Sequence, residues 1–215
     1  MVHSCRRFPA RHGDRPKCRI GGAVPEVALL PRPEMARAWL CASGNAAVEF
    51  ALVLPVLMLL MLGSAEMGRF VILHQKVDRV AVTTSDLVAR AETINETDLD
   101  DIFDAADFVA QPFDLAGLGV VIVSAITNED GSGATVAWQR SGGGSSTHTS
   151  QIGIAGGAAT LTADFEVREG ETAIIAEVFY DFEPFLSELI VEPQTVYRRA
   201  HHRPRLGTLD EVEAG

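Results

Sequence analysis

The hydrophobic pattern of this chain changes character twice. From Ala46 to Leu62 every residue is apolar except Glu49 and Pro55. Extended to Ala65, the run approaches the ~20 residues that a helix needs to cross a bilayer core. It has no polar face, unlike the helices of soluble domains. Gly44 and the small polar residues before it read as a break, and Glu66 and Arg69 after it read as the return to water. From Phe70 the pattern becomes periodic. Phe70, Leu73, Val77, Val80, Ala81, Thr84, Leu87, Val88 and Ala91 step by three and four, while Lys76, Asp78, Arg79, Asp86 and Arg90 take the other side. One helix from about Asn45 to Ala91 is predicted, ~70 Å long at 1.5 Å per residue. Pro55 is expected to kink it. The amphipathic half is expected to pack on the chain's own sheet.

The periods then shorten. Asn95-Glu96-Thr97 ends one helix and caps the next, with Thr97 preceding DLDDIFDAADFVA and its acids in the first turn. Gly119–Thr127 is β-branched and bounded by the turn signal of residues 128–133, so Ala134–Arg140 is its hairpin partner. SGGGSSTHTS, residues 141–150, reads as a flexible loop without packing residues, and residues 152–160 as further loop. Leu161–Val167 and Glu171–Phe182 are predicted to pair about a Glu169-Gly170 turn. Pro184–Ile190 reads as a short helix or bend, and Thr195–Ala200 as a last strand before a polar tail.

Charge divides the chain into two unequal parts. Residues 1–44 carry eight Lys/Arg against three Asp/Glu, and residues 45–215 carry ten against twenty-six, a balance of −16. So acidic a body argues against nucleic-acid binding. The basic side precedes the apolar run, which predicts a cytoplasmic N-terminus and an exported body. Cys5, Cys18 and Cys41 all precede Gly44, so the remainder holds no disulfide and no cysteine metal site. Residues 1–34 show no period and read as disordered. Met35 would open a ten-residue basic leader, MARAWLCASG, making it a second candidate start. The expected division is 1–44 leader, 45–95 membrane-spanning and amphipathic helix, 96–215 exported α+β domain with a polar tail.

Glu49 is the anomaly in the apolar run. A carboxylate there costs ~2.5–3.5 kcal/mol on insertion scales and calls for a partner or a task. Were the chain cut after Gly44, Glu49 would be the fifth residue of the product, one turn from a new amine at Asn45. In a helical stack of identical chains it would also meet a neighbour's amine.

Other polar groups carry less. The six Asp between residues 98 and 114 lack the spacing of a calcium loop and read as a solvated face. Glu177, Asp181 and Glu183 share one face of a strand and read as a solvent-facing acidic row paired with Arg198 or Arg199. Val178 and Tyr180 are then left to the core. His201 and His202 read as solvated, and His74 and His148 have no second ligand nearby. Ser145, Ser146 and His148 lie in a loop too mobile to pre-organise a nucleophile. The glycine run lacks the ending of a phosphate loop. No catalytic residue, metal site or cofactor is expected.

Gly44-Asn45-Ala46-Ala47-Val48-Glu49-Phe50 resembles the processing site of type IV prepilins. The longer stretch GNAAVEFALVLPVLMLLMLGSAEMGRF resembles the start of the TadE/TadG-like proteins of the tight adherence (Flp) pilus system, with Pro55 in the membrane helix and Glu66-Met67-Gly68-Arg69 at its exit. VVIVSAIT, Trp138-Gln139-Arg140, AEVFYDFEP at 176–184 and RRAHHRPR at 198–205 resemble the exported domains of the same family, with Phe179 and Phe182 where tyrosines are usual. The resemblance implies cleavage after Gly44 by an inner-membrane prepilin peptidase, with Asn45 as new N-terminus, N-methylated if the wider prepilin pattern holds. It implies a minor pilin-like or assembly component, with other pilin-like and Tad assembly proteins as partners, in the bacterial inner membrane and incorporated in a surface pilus or held at its base.

The fold expected is α+β and pilin-like: a long N-terminal helix, spanning the membrane between Ala46 and Leu62, packed on a mostly antiparallel sheet. The alternative is a secreted or membrane-anchored hydrolase or ligand-binding domain. It would use residues 36–65 as an ordinary signal, cut at Gly63-Ser64-Ala65.

Overall fold

The computed structural model describes residues 34–162, 165–185 and 192–213, with side chains from residue 45 onward. Its contacts divide the chain into two units, Met1–Phe50 and Ala51–Gly215. A single helix, α1, covers Glu34–Arg90. The break expected at Gly44 is therefore not there, and residues 34–44 are helical rather than irregular. The physical reason is local. Residues 35–42 are mostly Ala, Met, Leu and Arg, all good helix formers, and one glycine costs only ~1 kcal/mol against alanine. The helix also continues through Pro55.

Among the described residues of the larger unit, α1 is followed by α2 (Glu96–Ala110), a single turn α3 (Leu115–Leu118), and four strands: β1 (Gly119–Thr127), β2 (Thr135–Gly142), β3 (Thr172–Phe182) and β4 (Gln194–His202). Within the expected Asn95-Glu96-Thr97 cap, Asn95 is the residue that caps α2. Its side chain accepts from the Asp98 amide at 2.9 Å while the Asp98 carboxylate accepts from the Asn95 amide at 3.3 Å, a reciprocal capping box.

The sheet is antiparallel throughout, ordered β2-β1-β3-β4. β3 therefore pairs with β1 and β4, and the described residues of Leu161–Val167 do not form its expected partner. The turn at Glu169-Gly170 is present, with Gly170 at φ 75. The limb before it is irregular chain among its described residues, and Leu161, Phe165 and Val167 pack onto the sheet as side chains instead of joining it. Of Pro184–Ile190, only Pro184 and Phe185 lie within the described residues.

The two faces of the sheet have different covers. Val121, Val123 and Ala125 of β1, with Ile174, Ala176, Val178, Tyr180 and Phe182 of β3, meet Leu73, Val77, Val80, Ala81 and Val88 of α1 in the main core. Val178 and Tyr180 are buried as expected. The opposite face buries Ile126, Val136, Ile152, Val167, Ala173 and Ile175 under the chain between β2 and β3. β1 is buried at every position, which explains its unbroken apolar run: a central strand covered on both faces has no side to leave polar.

Candidate functional site

Two sets of contacts tie α1 to the sheet and the tail and a third covers the outer face of the sheet; the first lies at the end of the apolar run. Glu66 is the first residue past that run. Its carboxylate is buried, 4% exposed, rather than returned to water. Glu66 Oε1 accepts from the Phe185 amide at 3.2 Å and lies 3.7 Å from Arg69 Nη1. Arg69 donates to the Glu183 carbonyl at 3.4 Å, and its guanidinium stands 5.5 Å from the centre of the Phe182 ring. Phe182 in turn meets Phe70 edge-on at 5.2 Å. Glu66 and Arg69 thus clasp the segment that follows β3.

The second contact is at the other end of α1. The Arg205 amide donates to the Ala89 carbonyl at 2.9 Å, satisfying one of the acceptors that a helix leaves open at its C-terminus. The Arg205 guanidinium reaches Asp86 at 2.9 Å, and Arg90 bonds the same carboxylate. The Arg90 bond, with the positive charges of Arg90 and Arg205 beside it, holds the Asp86 carboxyl below its usual range. The tail expected to be polar and free is docked further along. Leu209 is 4% exposed in the main core, and its carbonyl accepts from the buried Trp138 indole at 2.9 Å.

The third contact replaces the expected flexible loop with a strap across the outer face. Glu177, expected in solvent, is fully buried. Its carboxylate accepts from the Gln151 amide at 3.0 Å, from the Tyr197 hydroxyl at 2.8 Å and from the Ser150 hydroxyl, none of them an arginine. Burial and the bond to Glu177 raise the Tyr197 pKa, which keeps its hydroxyl a donor. Asp181 gathers Thr195 at 2.7 Å, His148 at 2.8 Å and Ser146 at 3.1 Å. Partial burial pushes its carboxyl up, but the three hydrogen bonds outweigh that and leave it below the usual range. His148 also stacks on Phe179, ring centres 5.1 Å apart. Phe179 and Phe182 therefore work as packing surfaces and need no hydroxyl.

The glycines at the end of β2 and in the strap are there for proximity. A Cβ at Gly144 would stand 1.9 Å from the Gly119 carbonyl oxygen, and one at Gly142 would stand 2.2 Å from the Phe103 ring.

The processing residues lie at the start of the apolar stretch. Asn45 Nδ2 donates to Glu49 Oε1 at 2.9 Å, one turn along the helix. Phe50 is 61% exposed, and the positions from Ala46 to Met61, including Pro55, are exposed; Leu62 is half-buried. Gly44 lies within the helix, and Asn45 therefore partners Glu49 through its side chain while the chain is uncut.

Two arrangements have the residue types of hydrolases. Ser146, His148 and Asp181 meet, but serine and histidine both bond the carboxylate rather than each other, so the imidazole is not placed to take the hydroxyl proton. Ser85 lies 2.8 Å from His202 Nδ1, yet the same hydroxyl sits 2.8 Å from the Ala81 carbonyl of its own helix. Among the described residues, no cluster of His, Cys, Asp or Glu is spaced to hold a metal ion. Sequence reasoning missed the tasks of Glu66, Glu177 and Ser85. Each is polar, and nothing local marks it as buried.

The class defined here is a helix-on-sheet α+β protein whose first helix is long and apolar enough to cross a membrane. Residues 44–84 match the family model described as TadE-like protein, so this segment is TadE-like. The match supports a component associated with the Tad pilus. No curated protein and no solved structure gives a significant match.

Proposed function

We propose that this chain is a minor pilin-like or assembly component of a tight adherence (Flp) pilus, processed after Gly44 by a prepilin peptidase. The observation that carries the reading is where the TadE-like match begins. It starts at Gly44, five residues before Glu49, the spacing that resembles a prepilin processing site. The N-terminus stays in the cytoplasm by the charge asymmetry, α1 crosses the inner membrane, and the sheet domain is periplasmic. Its partners are the peptidase and other pilin-like and Tad assembly proteins. The role is structural rather than enzymatic.

The Asn45–Glu49 contact adds a step to this reading. In the uncut chain the Asn45 side-chain amide partners the carboxylate. After cleavage the new amine of the same residue offers it a full charge, its own or that of a neighbour. The acidic surface of the exported part repels copies of itself, which favours a minor component over a homopolymer.

Mass spectrometry of the membrane-extracted chain tests the proposal, from cells with and without active prepilin peptidase. The expected mature start is Asn45, dependent on the peptidase. A leader retained in the presence of active peptidase overturns it. A start at Glu66 transfers the chain to the alternative, a secreted or anchored domain with an ordinary signal.

A further inference from the structure

We propose that Phe185, three residues past the end of β3, is a foot that rests in the headgroup region of the bilayer, held at that depth by Glu66. This rests on the reading of α1 as a membrane span. Phe185 is 86% exposed, the highest value among the exposed large hydrophobic residues described. It is not on an arbitrary part of the surface. Its backbone amide is bonded to Glu66, the first residue past the apolar run that ends at Ala65.

A hydrocarbon core of ~30 Å takes ~20 helical residues, which from Ala46 ends near Ala65. The backbone of Phe185 therefore lies where acyl chains give way to headgroups. An exposed apolar ring in water there is unfavourable, and interfacial segments bury Trp, Phe and Leu at the boundary of headgroup and acyl chain. Arg69, one turn beyond Ala65, keeps 41% of its side chain exposed while its guanidinium faces Phe182. That is the depth and chemistry of a phosphate contact, with the stem lying along apolar surface.

Glu66 also explains itself on this account. A buried carboxylate at the end of a membrane helix is costly unless it accepts hydrogen bonds. Here it binds the backbone of the segment that must stay level with the interface. The occupant of the surface is thus phospholipid, continuous with what surrounds the exposed residues 51–61. The function is to fix the tilt of the sheet domain over the membrane.

The test uses the full chain reconstituted in phosphatidylcholine–phosphatidylglycerol vesicles whose lipids are brominated either near the headgroup or deep in the acyl chain. Trp39 and Trp138 supply a constant background, and the added emission of Phe185→Trp is read against it. The expected result is strong quenching by shallow bromine and weaker quenching by deep bromine. Leu57→Trp, in the apolar run, is the control and is quenched by deep bromine. If Leu57→Trp is quenched and Phe185→Trp is not, the foot is wrong and the span stands. If neither is quenched, both fail. Phe185→Trp emission that is shielded from aqueous acrylamide yet blind to bromine means that protein covers the site, which also overturns the proposal. Adding Glu66→Ala to Phe185→Trp is expected to abolish the shallow quenching while Leu57→Trp carrying Glu66→Ala keeps its deep quenching. Unchanged quenching removes Glu66 from the account.

Discussion

Two parts of α1 use the same residue types to opposite ends. From Ala51 to Met61 the helix is apolar on every side and exposed on every side, with Leu57 at 50%. From Leu73 to Ala89 it keeps charges on one side and buries the other, with Leu73 and Val80 at 0%. In the first stretch hydrophobicity is a match to a solvent. In the second it is a match to a partner of particular shape. A methylene removed from the first changes partitioning slightly and leaves the fold alone, whereas one removed from the second opens a cavity.

The sharpest way to break this contrast is a charge. Val80→Asp places an unpaired carboxylate among Val, Ala and Ile side chains of the main core and is expected to cost ~3–5 kcal/mol, enough to unfold a marginal domain. Leu57→Asp is expected to leave the thermal unfolding of the detergent-solubilised protein unchanged. It reduces membrane insertion instead, by ~2.5–3.5 kcal/mol on insertion scales. Circular dichroism melts and carbonate extraction of membranes read the two quantities separately. Equal loss of melting temperature in both variants would end the distinction between the halves. The same contrast at lower amplitude is Leu73→Ala, expected to cost ~2–5 kcal/mol, against Leu59→Ala, expected to leave the melt in place.

The helix was the most legible part of the molecule because its signal is redundant. A long apolar run and then a stripe at helical spacing leave little room for a different reading. The stripe still drifted. Leu87 faces out and Ser85 and Ala89 face in, because burial passes to positions 84, 85, 88 and 89 at the end of the helix. Ser85 tolerates this through its bonds to the Ala81 carbonyl and His202. The outer face of the sheet was read wrongly for a different reason. Strand alternation puts Glu177 opposite Val178, and a sheet packed on one helix should leave that face wet. What covers it is a stretch of Ser, Gly and Thr, whose composition is that of a linker. Composition reports the lack of a side chain but not why it is lacking. At Gly144 the reason is a neighbouring backbone oxygen. The pairing of β3 with β1 was hidden by the turn at Gly170, which is real but follows a limb that contributes side chains only.

The strap offers an intermediate test. Gly144→Ala would force its Cβ against the Gly119 carbonyl and is expected to cost ~1–3 kcal/mol, as overpacking does. In a flexible linker the same change would cost nothing or stabilise slightly. Denaturant unfolding midpoints separate the two, and an unshifted midpoint would restore the linker reading. Glu177→Ala leaves the Tyr197 hydroxyl and the Gln151 amide without their acceptor and should cost a similar ~1–3 kcal/mol.

The smallest expected effect is the acid response of Asp181, and its sign follows from the direction of its shift. Its carboxyl is held below the usual 3.8 in the folded chain by bonds from Thr195, His148 and Ser146, which outweigh the opposing effect of burial. Below the usual value the unfolded chain binds the proton first, so this contribution to stability is present above pH 3.8 and is lost as pH falls through the lower folded value. Asp181 is 42% exposed, so solvent screens most of the effect and the response is a local loosening rather than unfolding. Amide exchange in residues 144–151 should therefore accelerate below pH 3.8 while exchange in β1 does not. Asp181→Asn should make the strap's exchange fast at neutral pH and remove the acid step. If β1 and the strap loosen together along the whole titration, the outer cover is part of the same cooperative unit as the helix-facing core, and the two faces of the sheet are equally bound.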